Sequence, residues 1–154
     1  MHVIIVEDDD AKAGQLCAVV ATVTSIVPDV VKSINSALRK LAEIEPHVMI
    51  LDMSLPAFDY STDEGGFRHI ALGGRDVLDE VDRLGYHTLI IVVSAFDRFG
   101  ETEGAWTIAD LSADLEKQYP RNFCGSVWYS PVVDTWELSL TSLLRESTIR
   151  SEGL

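Results

Sequence analysis

The stretch that decides the fold is Val48-Met49-Ile50-Leu51-Asp52-Met53-Ser54-Leu55-Pro56. Four consecutive apolar residues read as a strand buried on both faces, as in the centre of a parallel sheet. A carboxylate appears where the run ends, and Pro56 stops regular pairing soon afterwards. In open α/β sheets, ligands bind just beyond the carboxyl ends of the strands. Asp52 is therefore either a turn aspartate or an acid delivered to the place where such folds do chemistry.

The flanking sequence repeats the pattern. Val3 to Val6 is an apolar strand closed by Glu7-Asp8-Asp9-Asp10, acids that suit a helix start. Leu16, Val19, Val20, Val23 and Val27 recur at helical spacing from about Ala11 to Ile26, and Pro28 ends that helix. Val30 to Ser33 is a short strand, and Ser33 or Asn35 caps a second helix running to about Glu43. After the central strand, 57–74 reads as a long loop with a short ordered piece near Phe67 to Leu72. A third helix spans Arg75 to Leu84 and ends at Gly85. Thr88 to Val93 is a fourth strand, with Ser94 at its end. A polar loop follows over 96–104, and a helix runs from Ala105 to about Gln118. Val127 to Tyr129 forms a fifth strand, followed by Ser130-Pro131. Asp134 to Glu137 resembles a capping box opening a last helix to about Glu146. Five strand–helix alternations predict a doubly wound five-stranded parallel sheet with helices on both faces, in one domain over 1–147 with a polar tail over 148–154.

Composition narrows the function. The chain has 154 residues and a formal net charge of -13. That acidity disfavours direct contact with nucleic acid and with anionic membranes, and suits a cation site or a basic protein partner. No apolar run reaches the roughly 20 residues a membrane helix needs. The acidic start is unlike a signal peptide. Cys17 and Cys124 lack paired or metal-ligand spacing, which fits a cytoplasmic, reducing location.

The strand ends carry a set of groups: Glu7 and Asp8 after the first, Asp52 after the third, Ser94 after the fourth. If the first and third strands are neighbours, three carboxylates converge, and they repel one another unless a cation neutralises them. Hard oxygen ligands with open positions suit Mg²⁺. A metal beside a carboxylate nucleophile makes phosphorylation of that carboxylate chemically reasonable.

These residues, in this order, resemble a receiver domain of bacterial two-component response regulators. The resemblance rests on Val6-Glu7-Asp8, Asp52 through Pro56, Ser94-Ala95, the proline after the fifth strand and the element order. It spans roughly residues 2 to 146 and implies a flavodoxin-like fold with strand order 2-1-3-4-5. It further implies that Asp52 accepts a phosphoryl group from a histidine kinase or phosphotransfer protein. By the same resemblance Glu7, Asp8, Asp52 and the Ser54 backbone carbonyl hold Mg²⁺, and Ser94 is the switch hydroxyl. The chain would then be a signalling domain rather than an enzyme, acting on a downstream protein partner.

Two departures stand out. The family has a lysine directly before the last proline, where this chain has Ser130. That lysine's ammonium normally pairs with the acceptor aspartate and then with the phosphoryl group. The aromatic position three residues earlier falls on Val127, although Trp128 and Tyr129 are adjacent. Arg68, His69, Arg75 and Arg98 are the cations the long segments could bring to the site. The alternative is a degenerate receiver that works as a phosphorylation-independent interaction module. A metal-dependent phosphatase or nuclease on a similar sheet is disfavoured, because Asp52-Met53-Ser54 lacks the second Asp those sites need.

Overall fold

The structure is a computed structural model, and it describes residues 1–59, 69–95, 98–99 and 106–153. The main elements alternate along the chain: β1 (Val3–Val6), α1 (Asp10–Thr24), β2 (Asp29–Val31), α2 (Ile34–Glu43), β3 (Val48–Leu51), α3 (Gly74–Arg83), β4 (Leu89–Ser94), α4 (Ile108–Gln118), β5 (Phe123–Trp128) and α5 (Thr135–Glu152). The five strands form one parallel sheet in the order β2-β1-β3-β4-β5. This is the flavodoxin-like order expected from the sequence.

The unbroken apolar runs have a direct cause. Alternate residues of each strand point to opposite faces, and helices cover both. Ile4, Val6, Met49, Leu51, Ile90 and Val92 pack with Leu41, Leu78, Val81, Leu111 and Leu115 from α2, α3 and α4. Val3, Ile5, Val48, Ile50, Ile91 and Val93 pack on the other face with Leu16, Val20, Leu140 and Leu144 from α1 and α5. In β1, β3 and β4 there is no solvent face to mark with a polar residue.

Caps set the helix starts. The Asp9 side chain accepts from the Lys12 backbone N–H at 3.0 Å, fixing α1. Ser33 and Ser36 form a reciprocal capping box on α2. Gly85, at φ 69°, follows α3 in the left-handed region, where a side chain would be strained.

Several boundaries differ from the sequence reading. Past Asp52 a further short ladder forms and ends at Pro56: Leu55–Pro56 pairs antiparallel with His69–Ile70, two residues that tolerate a missing N–H. Trp106 belongs to a second short ladder, Arg98–Phe99 with Trp106–Thr107, so α4 starts only at Ile108, capped by Thr107. The rest of the two long loops, 60–68 and 96–97 with 100–105, lies outside the described residues. Strand β5 starts at Phe123 and carries a bulge at Cys124. Asp134 makes no side-chain cap bond. Helix α5 continues past Glu146 to Glu152, and its buried stripe Trp136, Leu140, Leu144, Ser147 keeps a three- to four-residue spacing.

Candidate functional site

Strands β1 and β3 run side by side in register, Val3 against Val48 through Val6 against Leu51. Their ladder continues one bond beyond the strand ends, where the Asp52 backbone N–H donates to the Val6 carbonyl at 3.1 Å. The Glu7 backbone N–H donates in the same way to Val31 of β2, at 3.0 Å. Glu7 and Asp52 are thus held next to each other by backbone geometry. Glu7, Asp8 and Asp52 each bring a carboxylate oxygen within 4.8 Å of the others. They line a cleft of about 390 Å³ with Lys12, Ser54 and Tyr129. A slightly larger hollow of about 420 Å³ lies at the opposite ends of the strands, between Glu45, His47 and His87. It holds no comparable acidic cluster among the described residues, and the topology puts ligand chemistry at the carboxyl ends.

Burial makes the cluster unusual. Glu7 is 2% exposed, Lys12 4% and Asp52 7%, in residue types rarely buried unless paired. Loss of hydration pushes the Glu7 carboxyl up to about 8, against the opposing pull of the Lys12 ammonium and with a further push from the Asp52 charge. Burial also raises Asp52, opposed by Lys12 and the Ser54 backbone N–H. Asp52 Oδ1 is buried without a hydrogen-bond partner in the structure. A buried carboxylate oxygen without a partner, inside an acidic cluster, has the chemistry of a hard-cation ligand. The donor set of hard oxygens fits Mg²⁺ on the same ground.

Lys12 is the residue the sequence reading missed. It sits in the first turn of α1, and its Nζ reaches Glu7 Oε2 at 2.7 Å, the Val93 carbonyl at 2.8 Å and Asp52 Oδ2 at 3.4 Å. The Val93 contact is a hydrogen bond and the other two are ion pairs. The Tyr129 ring lies 5.5 Å away, a cation–π distance. Of the cations the long segments could bring to the site, the structure places only the side chain of Arg75, and it lies elsewhere. Arg75 pairs with Asp114 and stacks over Trp106. Arg68 and the side chains of His69 and Arg98 lie outside the described residues. The sequence did carry a faint signal: a lysine in the first turn of a helix opposes the macrodipole and needs a reason to be there.

The other expected positions are placed as follows. The Ser54 carbonyl belongs to a residue that is 7% exposed and borders the cleft. Ser94 is the last residue of β4, fully buried, and pairs in register with Trp128; Ala95 borders the cleft instead. Ser130 Oγ accepts from the Val132 backbone N–H at 3.3 Å, a local turn contact. Val127 is buried, Trp128 is half exposed, and Tyr129 turns inward to the cleft. Tyr129 is held there by its N–H on the Ser94 carbonyl at 2.8 Å and by its hydroxyl on Gln15.

This fold is that of response-regulator receiver domains. The receiver domain of a putative LuxO repressor protein from Vibrio parahaemolyticus superposes with a TM-score of 0.61 at 22% identity, over 97% of this chain and 93% of that one. The receiver domain of the sensor histidine kinase PA1611 from Pseudomonas aeruginosa, solved with a magnesium ion in its active-site cleft, gives 0.59 at 13% identity, over 94% of each chain. The Detocs response regulatory protein DtcB of Enterobacter cloacae is 25% identical over 118 residues, covering 74% of this chain and 77% of its own. No model of a known protein family matches the chain. The chain belongs to the family of the uncharacterized protein y4jR of Sinorhizobium fredii, with 33% identity over 147 residues, 91% of this chain and 94% of that protein. Among the described residues, no helix is long and apolar enough to cross a membrane.

Proposed function

We propose that the chain is a phosphoryl-accepting receiver with Asp52 as the acceptor. The observation that carries this reading is the Glu7–Asp8–Asp52 cluster, in which Glu7 and Asp52 are buried and Asp52 Oδ1 and Glu7 Oε2 lack hydrogen-bond partners. Glu7, Asp8, Asp52 and the Ser54 carbonyl are the residues that would hold Mg²⁺. When bound, that ion supplies charge neutralisation for phosphoryl transfer. Asp52 attacks the phosphorus of a phosphohistidine on a kinase or phosphotransfer protein. A P–O bond to Asp52 forms as the P–N bond breaks, and the imidazole leaves with a proton. Ser94 is the hydroxyl nearest in sequence to the cleft edge at β4, and a shift of β4's end would bring it onto the phosphoryl group. The net charge of -13 suits basic protein surfaces rather than nucleic acid.

One observation favours a second reading. Lys12 already pairs with Glu7 and Asp52, so the cleft is partly neutralised without any metal. A receiver locked in that state would act as an interaction module independent of phosphorylation. Beryllofluoride separates the two. With Mg²⁺ it mimics a phosphoryl group, and the phosphoacceptor reading expects saturable binding to the wild-type chain and none to Asp52→Asn. Absence of wild-type binding would leave only the phosphorylation-independent module.

A further inference from the structure

The position that carries a lysine in response regulators is Ser130 here, and its hydroxyl is engaged in its own turn. The cation in the cleft comes instead from α1. We propose that Lys12 is the charge that pairs with a phosphoryl group on Asp52, supplied from α1 rather than from the segment after β5. This rests on the phosphoacceptor reading above.

Three observations carry it. First, the ammonium is aimed rather than merely present. The Val93 carbonyl on β4 accepts one hydrogen bond from it at 2.8 Å, Glu7 Oε2 pairs with it at 2.7 Å, and the contact to Asp52 Oδ2 is a longer 3.4 Å. The loosest of the three contacts is the one to the acceptor. A phosphoryl oxygen extending from Asp52 would come within reach of the same ammonium. Second, the backbone places it. The Lys12 N–H is capped by Asp9, and the Tyr129 ring closes the opposite side. The side chain has few other places to go. Third, the charges require it. With a metal holding Glu7 deprotonated, Glu7, Asp8 and a phosphoryl group of about two negative charges total about four. One divalent cation leaves about two unbalanced in a buried cleft, and Lys12 removes one more.

A merely structural ion pair and a phosphoryl-binding cation behave differently when the charge is removed. Lys12 repels a metal bound at Glu7 and Asp52, so Lys12→Met binds Mg²⁺ alone at least as tightly as wild type. At saturating Mg²⁺, the same variant binds beryllofluoride about tenfold or more weakly, because a charge-assisted contact is gone. The experiment titrates the full-length wild type, Lys12→Met and the double variant Lys12→Met/Ser130→Lys with Mg²⁺ and then with beryllofluoride by calorimetry. Thermal melts in EDTA report the fold of each. If Met at this position does not hold the fold, Lys12→Gln replaces it, retaining hydrogen bonding without charge. The expected result is opposite changes in the two affinities, with beryllofluoride binding recovered in the double variant. Equal beryllofluoride affinity for a folded Lys12→Met and wild type would overturn the proposal while leaving the phosphoacceptor reading intact. Failure of the wild type itself to bind would bring down both.

Discussion

Glu7 shows most directly what burial does to a single residue here. Its carboxyl is pushed up to about 8 from 4.5, chiefly by loss of hydration. This is the reverse of the usual surface carboxylate. Between about pH 4.5 and 8 the folded chain keeps a proton that the unfolded chain has released, so the folded state binds more protons and stability falls as pH rises through that window. A divalent cation reverses the balance, because it binds the deprotonated form. We expect the metal-free protein to melt at lower temperature at pH 8 than at pH 6, and the Mg²⁺-induced rise in melting temperature to be larger at pH 8. A stabilisation by Mg²⁺ that is independent of pH would show that Glu7 is not protonated in the folded metal-free state. At this scale the sequence was legible where a residue's position along the chain decides its place: Glu7, Asp8 and Asp52 follow directly from two buried strands that end side by side. Lys12 was not legible, because its ammonium meets Asp52 across a gap of 40 residues (52 − 12) through the packing of α1 against the sheet.

At the scale of elements, the loop that carries Asp52 depends on how closely α3 begins. The Gly74 N–H donates to the Met53 carbonyl at 2.9 Å. A Cβ there would stand 2.7 Å from the Asp52 carbonyl and 3.0 Å from Met53 Sδ. Gly74→Ala is therefore expected to cost about 1–3 kcal/mol by overpacking and to weaken beryllofluoride binding by shifting Asp52. Gly14→Ala, in α1, is the control. Nothing lies within 4 Å of its added Cβ, so helix propensity alone should stabilise the protein by about 0.5–1 kcal/mol. Urea unfolding of both variants checks the pair, and a neutral Gly74→Ala would contradict the close approach. The long strands and α1 to α3 were readable because apolar periodicity marks them. The two-residue ladders were not, since two paired residues leave no period to detect. The end of α5 was hidden by its polar composition: Ser147 is buried, with its hydroxyl bonded back to the Leu143 carbonyl at 2.8 Å.

For the whole molecule, the order β2-β1-β3-β4-β5 gathers the chemistry at one edge. It makes β1 and β3 neighbours, brings the end of β4 beside them, and lays the N-terminus of α1 over the acidic pair. Alternating elements and handed crossovers leave few other arrangements, which is why the architecture could be read from the chain. That Ser130 stands where the family has a lysine could be read as well; the ammonium that Lys12 brings to the cleft could not, because it comes from a different element. The account stands or falls on Asp52 accepting a phosphoryl group. The direct measurement is intact-mass analysis after incubation with a small-molecule phosphodonor and Mg²⁺. We predict one phosphoryl group on the wild-type chain, lost when Mg²⁺ is chelated beforehand, and none on Asp52→Asn. An unmodified wild-type chain, or a modification that persists in Asp52→Asn, would contradict it.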